Sequence, residues 1–331
     1  MTVKVLHPGL LTTIQDLGRY GFQSYGVIVS GAMDRYSLRV ANLLVGNQEN
    51  EAGLEITLFG TTLLFENDHL IAITGGDLHA LIDGKKAGLW RPIFVKKGSI
   101  LQFKTPITGC RAYVAFAGGF AVPEIMGSKS TYLKAGIGGF HGRALQKGDL
   151  IECGEMNKDN QYIFSKAGSM VGGFSWFVDY SQLICFEQEQ TIRVIKGLEF
   201  DRFDDDSKRL LFSQPFTVTT QSDRMGYRLE GPVLQLEKEF ELLSEGVTQG
   251  TVQIPPNGNP IILMADRQTT GGYPKMAQIL SADLASVAQL RPKAKVYFKE
   301  VTHEEAESEF LAKERILDEI KMGIRLKLQY G

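Results

Sequence analysis

Residues 54–77, LEITLFGTTLLFENDHLIAITGGD, and residues 250–272, GTVQIPPNGNPIILMADRQTTGG, follow one design: apolar strand, turn, apolar strand and a Thr-Gly-Gly exit. In the first stretch Leu63, Phe65 and the run from Leu70 to Ile73 are apolar. Asn67 and Asp68 bound them on one side and Gly75 and Gly76 on the other, which is how strands closed by turns are written. The match extends outward. TTIQDLGRYGF (12–22) precedes the first copy and TTQSDRMGYRL (219–229) the second, while FVKKGSILQF (94–103) and QLRPKAKVYF (289–298) follow. Each half thus carries a threonine-led strand with an Asp, Gly and Tyr turn, and the order is kept throughout. The expected fold is mainly β, two barrels from an internal duplication with short helices.

At 331 residues the chain is long enough for two domains. Weak periodicity between Glu155 and Thr191 places the boundary there. The expected division is a first barrel over 1–155, a linker over 156–190, a second barrel over 191–301 and a helical tail over 302–331. Lys97-Gly98-Ser99 and Lys147-Gly148-Asp149 mark turns entering strands. Short helices are expected at Met33 to Leu44, capped by Asp34, and at Ser281 to Gln289. In the tail Ala306, Phe310, Leu317, Ile320 and Ile324 form one apolar stripe at helical spacing, either packed on its own barrel or docking a partner.

The formal net charge of −2 gives no electrostatic reason to expect nucleic acid or an anionic membrane. No apolar run reaches the length of a membrane span and no leader is recognisable, so the chain reads as cytoplasmic. Cys110, Cys153 and Cys185 are read as buried thiols, and the scattered histidines offer no metal-ligand spacing.

The densest polar chemistry follows the apolar strand Ile261 to Ala265: Asp266, Arg267, Gln268, Thr269 and Thr270, then Gly271 and Gly272. An acid, a base, an amide and hydroxyls beside glycines that admit close backbone approach suit a binding site, or an ion-paired turn. Arg224, Tyr227 and Arg228 share a short segment, and two arginines there need anions. Asp266, Arg267 and Gln268 are expected to line one cleft with Arg224, Arg228 and Glu245. Glu245 would be a general base if buried, and Gln249 lies in the same turn-rich link. Asp16, Arg19, Tyr20 and Asp223 occupy turns that either line a cleft or tie the chain together. GSKST (127–131) is no phosphate loop by spacing, but Ser128, Ser130 and Arg143 with backbone amides suit an anion such as a carboxylate.

DRQTTGGYP, SDRMGYRLEGP (222–232), LLSEGVTQGT (242–251), LTTIQDLGRYGF (11–22), GAMD (31–34), RAYVAFAGGF (111–120) and GSKST resemble the signature segments of one family. It is the KipA family, also called allophanate hydrolase subunit 2, the biotin-dependent carboxyltransferase-like family or the 5-oxoprolinase C subunit. The resemblance implies two cyclophilin-like β-barrels and a role beside a KipI-like B subunit. With a further lactam-hydrolase A subunit, such a complex converts 5-oxo-L-proline to L-glutamate using ATP. Other roles in the same family are antagonism of a KipI-like kinase inhibitor and carboxyl transfer from carboxybiotin to urea or a related amide. No nucleotide motif and no Ala-Met-Lys-Met biotin site occurs, so ATP or biotin would be supplied or shared by another polypeptide.

Overall fold

The computed structural model describes residues 1–170, 173–238 and 240–330, which divide into two compact units. One comprises Met1–Arg19, Ser30–Leu183 and Arg315–Gly331; the other comprises Tyr20–Val29 and Ile184–Glu314. The break at Leu183 lies in the 156–190 stretch.

The first unit carries β1 (Thr2–Pro8), β2 (Leu11–Gln15), β3 (Gly53–Thr57), β4 (Thr61–Phe65), β5 (His69–Gly75), β6 (Ala80–Ile82), β7 (Lys85–Lys86), β8 (Pro92–Val95), β9 (Ile100–Phe103), β10 (Arg111–Phe116) and β11 (Leu150–Glu152). They form a six-stranded sheet, β11-β1-β4-β9-β6-β7, and a five-stranded sheet, β2-β3-β10-β5-β8. Val5, Leu63, Phe65 and Phe103 from one sheet and Leu54, Ile73, Val114 and Phe116 from the other fill one core. The alternation in β4 turns every second residue inward. The continuous apolar run in β5 is buried on both faces because helices cover its outer side: α1 (Arg35–Leu44) and α2 (Lys158–Ser169). Asp34 caps α1, accepting from the Ser37 amide at 2.9 Å.

The second unit contains β12 (Glu189–Lys196), β13 (Phe216–Val218), β14 (Gly226–Glu230), β15 (Glu245–Gly246), β16 (Thr251–Gln253), β17 (Ile261–Leu263), β18 (Thr270–Gly271), β19 (Lys275–Ile279) and β20 (Lys295–Glu300), with α3 (Asp205–Ser213) and α4 (Leu284–Val287). Seven strands close a barrel in the order β12-β19-β16-β17-β14-β13-β20, and β15 pairs with β18 outside it.

Four details differ from the expectations. Thr12 and Thr13 lie in β2, but Thr219 and Thr220 lie in a turn. Asp223 closes that turn by accepting from the Met225 and Gly226 amides, so strand pairing starts only at Gly226. The helix expected over 281–289 shrinks to α4, since Asp283 spends its carboxylate on Arg193 rather than on a cap. Helix α2 sits where periodicity was weak: it buries only Asn160, Ile163 and Ala167. Cys185 is exposed, because the inward positions beside it belong to Leu183 and Ile184.

The tail forms α5 (His303–Tyr330). Leu317, Ile324 and Leu328 are buried. Lys321 Nζ reaches Glu49 at 2.7 Å, and the Leu328 carbonyl accepts from Tyr162 Oη and Lys166 Nζ. The C-terminal part of the helix therefore packs within the chain's own first unit.

His69, buried between Phe65 and Phe116, has its pKa pushed down to about 4, first by desolvation. Its folded value lies below its unfolded one, so between about pH 6.5 and 4 the unfolded chain binds the extra proton. Stability is complete above that window and is lost as pH falls through it, by about 3 kcal/mol from this group. Urea midpoints measured across the window should fall, and His69→Gln should flatten the decline by roughly that amount.

Candidate functional site

β17 runs into a tight turn in which the Asp266 amide donates to the Arg224 carbonyl at 2.8 Å. The side chains of the same two residues pair fork to fork, Arg224 Nε to Asp266 Oδ2 at 2.9 Å and Nη2 to Oδ1 at 3.0 Å. Both are nearly inaccessible, with side chains 5% and 9% exposed. This pair clamps the Asp223 turn to the end of β17. Buried pairs of this kind add little net stability, yet losing one partner costs about 3 to 5 kcal/mol. Arg224 and Asp266 are thus committed to each other and do not line the cleft.

Beside the clamp lies a cavity of about 820 Å³, walled among others by Arg228, Gln253, Arg267, Gln268, Gly271 and Tyr273. The β14 alternation buries Tyr227 and turns Arg228 out toward the cavity. Arg267 is half-buried, and its Nε and Nη1 meet only the carbonyls of Val247 and Met264, each at 3.4 Å. Burial lowers its pKa, and Tyr20 and Asp266 pull it back up. The Asp266 oxygens already serve Arg224. Among the described residues, neither Arg228 nor Arg267 is bonded to a carboxylate. Asp223 and Glu230 also line the cavity, but neither is paired with these two guanidinium groups, which suit a carboxylate or phosphoryl oxygen. The glycine exit adds a bare backbone wall: a Cβ on Gly271 would fall 2.5 Å from Gln253 Nε2.

Gln253 and Tyr273 were not singled out from sequence. The signal for Gln253 was a buried amide inside the apolar strand TVQI, bonded to the Tyr273 carbonyl at 3.3 Å.

The remaining expected residues lie elsewhere. Tyr227 is a core residue whose hydroxyl donates to the Ala288 carbonyl. Gln249 and Thr269 are off the cavity wall, their carbonyls accepting from Gln278 Nε2 and the Val247 amide. Glu245 is half exposed and pairs with Lys275 Nζ at 3.0 Å, so the burial a general base would need is missing. Glu245→Gln should leave the Tm of the chain within about 2 °C of the parent by calorimetry, because this partner is half exposed and Lys275 keeps Glu199 at 3.3 Å.

The GSKST cradle does hold an anion, and the anion is the chain's own. Asp16 Oδ1 accepts from Ser128 Oγ at 2.8 Å, from the Gly18 amide at 2.8 Å and from Ser130 Oγ. Oδ2 accepts from the Lys129 amide at 2.6 Å. Arg19, fully buried, donates to the carbonyls of Ile125, Ser128 and Ser130. Ser128 and Ser130 are therefore occupied. Arg143 is likewise taken, bidentate on Asp149 at 2.7 and 2.8 Å. No group of three or more His, Cys, Asp or Glu among the described residues is placed to hold a metal ion.

The chain and its fold belong to a known class. The family described as carboxyltransferase domain, subdomain A and B, matches residues 25–300, and the chain belongs to it. Among its relatives is the C subunit of 5-oxoprolinase from Escherichia coli, 41% identical over 92% of this chain and 93% of the relative. The protein of that name from Haemophilus influenzae is 37% identical over 93% and 94%. In structure the chain is similar to the urea carboxylase of Kluyveromyces lactis, with a TM-score of 0.87 and 29% identity, covering 98% of this chain and 29% of that one.

Proposed function

We propose that this chain is the C subunit of a cytoplasmic 5-oxoprolinase, which hydrolyses the lactam of 5-oxo-L-proline to L-glutamate with ATP, beside KipI-like and lactam-hydrolase subunits. The observation that carries the reading is identity to proteins of that name along nearly the full length of both chains. The barrel cavity supports it chemically. A lactam is a stable amide, so opening it needs activation of the carbonyl oxygen and stabilisation of the negative charge that develops there. Arg267 and Arg228 would bind the substrate carboxylate or a phosphoryl group, and the Thr270 to Gly272 backbone would let the ring approach closely. The nucleotide would sit on, or be shared with, another polypeptide of the complex, and no biotin would be carried here.

Glutamate release from 5-oxo-L-proline, measured with every combination of this chain, its two partners and ATP, tests the reading. Release should require all of them. Turnover by the single chain, or full turnover without it, would overturn the assignment. The likeness to urea carboxylase supports a second reading, carboxyl transfer to urea or a related amide from carboxybiotin, and adding those reactants to the same assay separates the two.

A further inference from the structure

A second cavity, of about 310 Å³, opens in the first unit, with Asp77, Trp90, Arg91, Thr108, Phe177 and Tyr180 on its walls. None of these residues belongs to the barrel cavity. Trp90 and Tyr180 stack with centroids 4.8 Å apart and planes 29° from parallel. Trp90 is held at φ +56, a costly backbone for a bulky side chain, by bonds from its amide to the Ile73 carbonyl and from the Val178 amide to its own carbonyl.

The charge at this cavity is unbalanced. The Asp77 carboxylate takes the His79 amide on one oxygen and faces Lys86 Nζ at 3.3 Å with the other, so its charge is matched. Arg91 has no such match. Its Nη1 donates to the Phe174 carbonyl at 3.0 Å, its Cζ lies 5.5 Å from the Phe177 ring centroid, and its Nε is buried without a hydrogen-bond partner. Among the described residues it is bonded to no carboxylate. A partly buried cation with one buried nitrogen unpartnered and no acid beside it is unfavourable, and a ligand carboxylate would relieve it. Phe177 beside it is 60% exposed, an aromatic face left to water. The Thr108 hydroxyl accepts from the Asp77 amide at 3.2 Å, leaving its own hydrogen to donate.

We propose that this cavity is a second ligand site, for a small carboxylic acid bearing a flat ring, with the carboxylate on Arg91 and the ring against Phe177. The full-length chain allows a direct test, because one of its two tryptophans lines the cavity and the other, Trp176, adjoins Phe177. Benzoate and its neutral isostere benzamide would be titrated by calorimetry and tryptophan fluorescence. Benzoate should bind saturably with a change in tryptophan fluorescence, a signal tied to this cavity because neither tryptophan lines the barrel cavity, and benzamide about tenfold or more weaker, the worth of a charge-assisted contact. Arg91→Gln should weaken benzoate by a similar factor. Phe177→Ala changes an exposed residue and leaves folding intact, and it should weaken both probes. Arg267→Ala should change neither. Equal affinity for the two probes, indifference to both cavity variants, loss of binding in Arg267→Ala, or no saturable binding would each overturn the proposal.

Discussion

Arg267→Ala in the assembled enzyme is expected to lower kcat/KM for 5-oxo-L-proline by about 100-fold or more, with the Tm of the chain unchanged or slightly raised. A guanidinium contact to a carboxylate or phosphoryl oxygen is worth up to about 3 kcal/mol, which is two powers of ten in rate or affinity. The folded chain gains little from this side chain. Its two bonds to carbonyls are 3.4 Å long, beyond good hydrogen-bond distance, and its charge is half-buried without an acid of its own. Removing it relieves desolvation and leaves two carbonyls that were weakly served. Arg224→Ala provides the contrast, since it strands the buried Asp266 carboxylate and should cost about 3 to 5 kcal/mol of stability. Arg267→Lys should recover part of the activity, as it restores the charge without the fork. Full activity in Arg267→Ala, or a loss of stability matching that of Arg224→Ala, would remove Arg267 from the site.

The features readable in the sequence are those whose physics is local. Asp34 was legible as a cap because its partner, Ser37, is three residues away. Both Lys-Gly turns were legible because a glycine at positive φ, +86 at Gly98 and +94 at Gly148, leaves its mark on the residue itself. The stripe on α5 was legible only in its C-terminal part, where helical spacing brings Leu317 and Ile324 to one side, whereas Phe310 is exposed. Ion pairing is different in kind. Arg224 and Arg228 look alike within SDRMGYRL, and only the fold delivers Asp266, 42 residues on, to the first and leaves the second facing the cavity. Glu245 and Asp266 were likewise equal as carboxylates until Lys275 and Arg224 arrived beside them. Of the polar segment after β17, Arg267 and Gln268 do line the cavity, while the surroundings of its charged neighbours depended on partners that no local pattern reveals.

Another long-range partnership has the largest expected effect on stability. Asp16 and the GSKST cradle are more than a hundred residues apart, and the carboxylate between them accepts from two serine hydroxyls and two amides. Asp16→Ala would leave those donors buried and unmatched. It would also take the nearby negative charge from Arg19, which burial already disfavours and Asp16 supports. Unmatched buried donors cost about 1 to 3 kcal/mol each before relaxation, and an uncompensated buried charge costs about 3 to 5. A total loss on the order of 5 kcal/mol is expected, or about 10 to 20 °C in Tm for a unit of this size. Ser128→Ala alone removes one donor and leaves the others in place, so it should cost only about 1 to 2 kcal/mol. If the cradle instead released Asp16 to receive a substrate anion, Ser128→Ala and Ser130→Ala would lower turnover with Tm unchanged, and Asp16→Ala would be nearly as stable as the parent chain. A Tm for Asp16→Ala within about 2 °C of the parent, less than one lost hydrogen bond would cause, would show that the cradle is not held shut by this carboxylate.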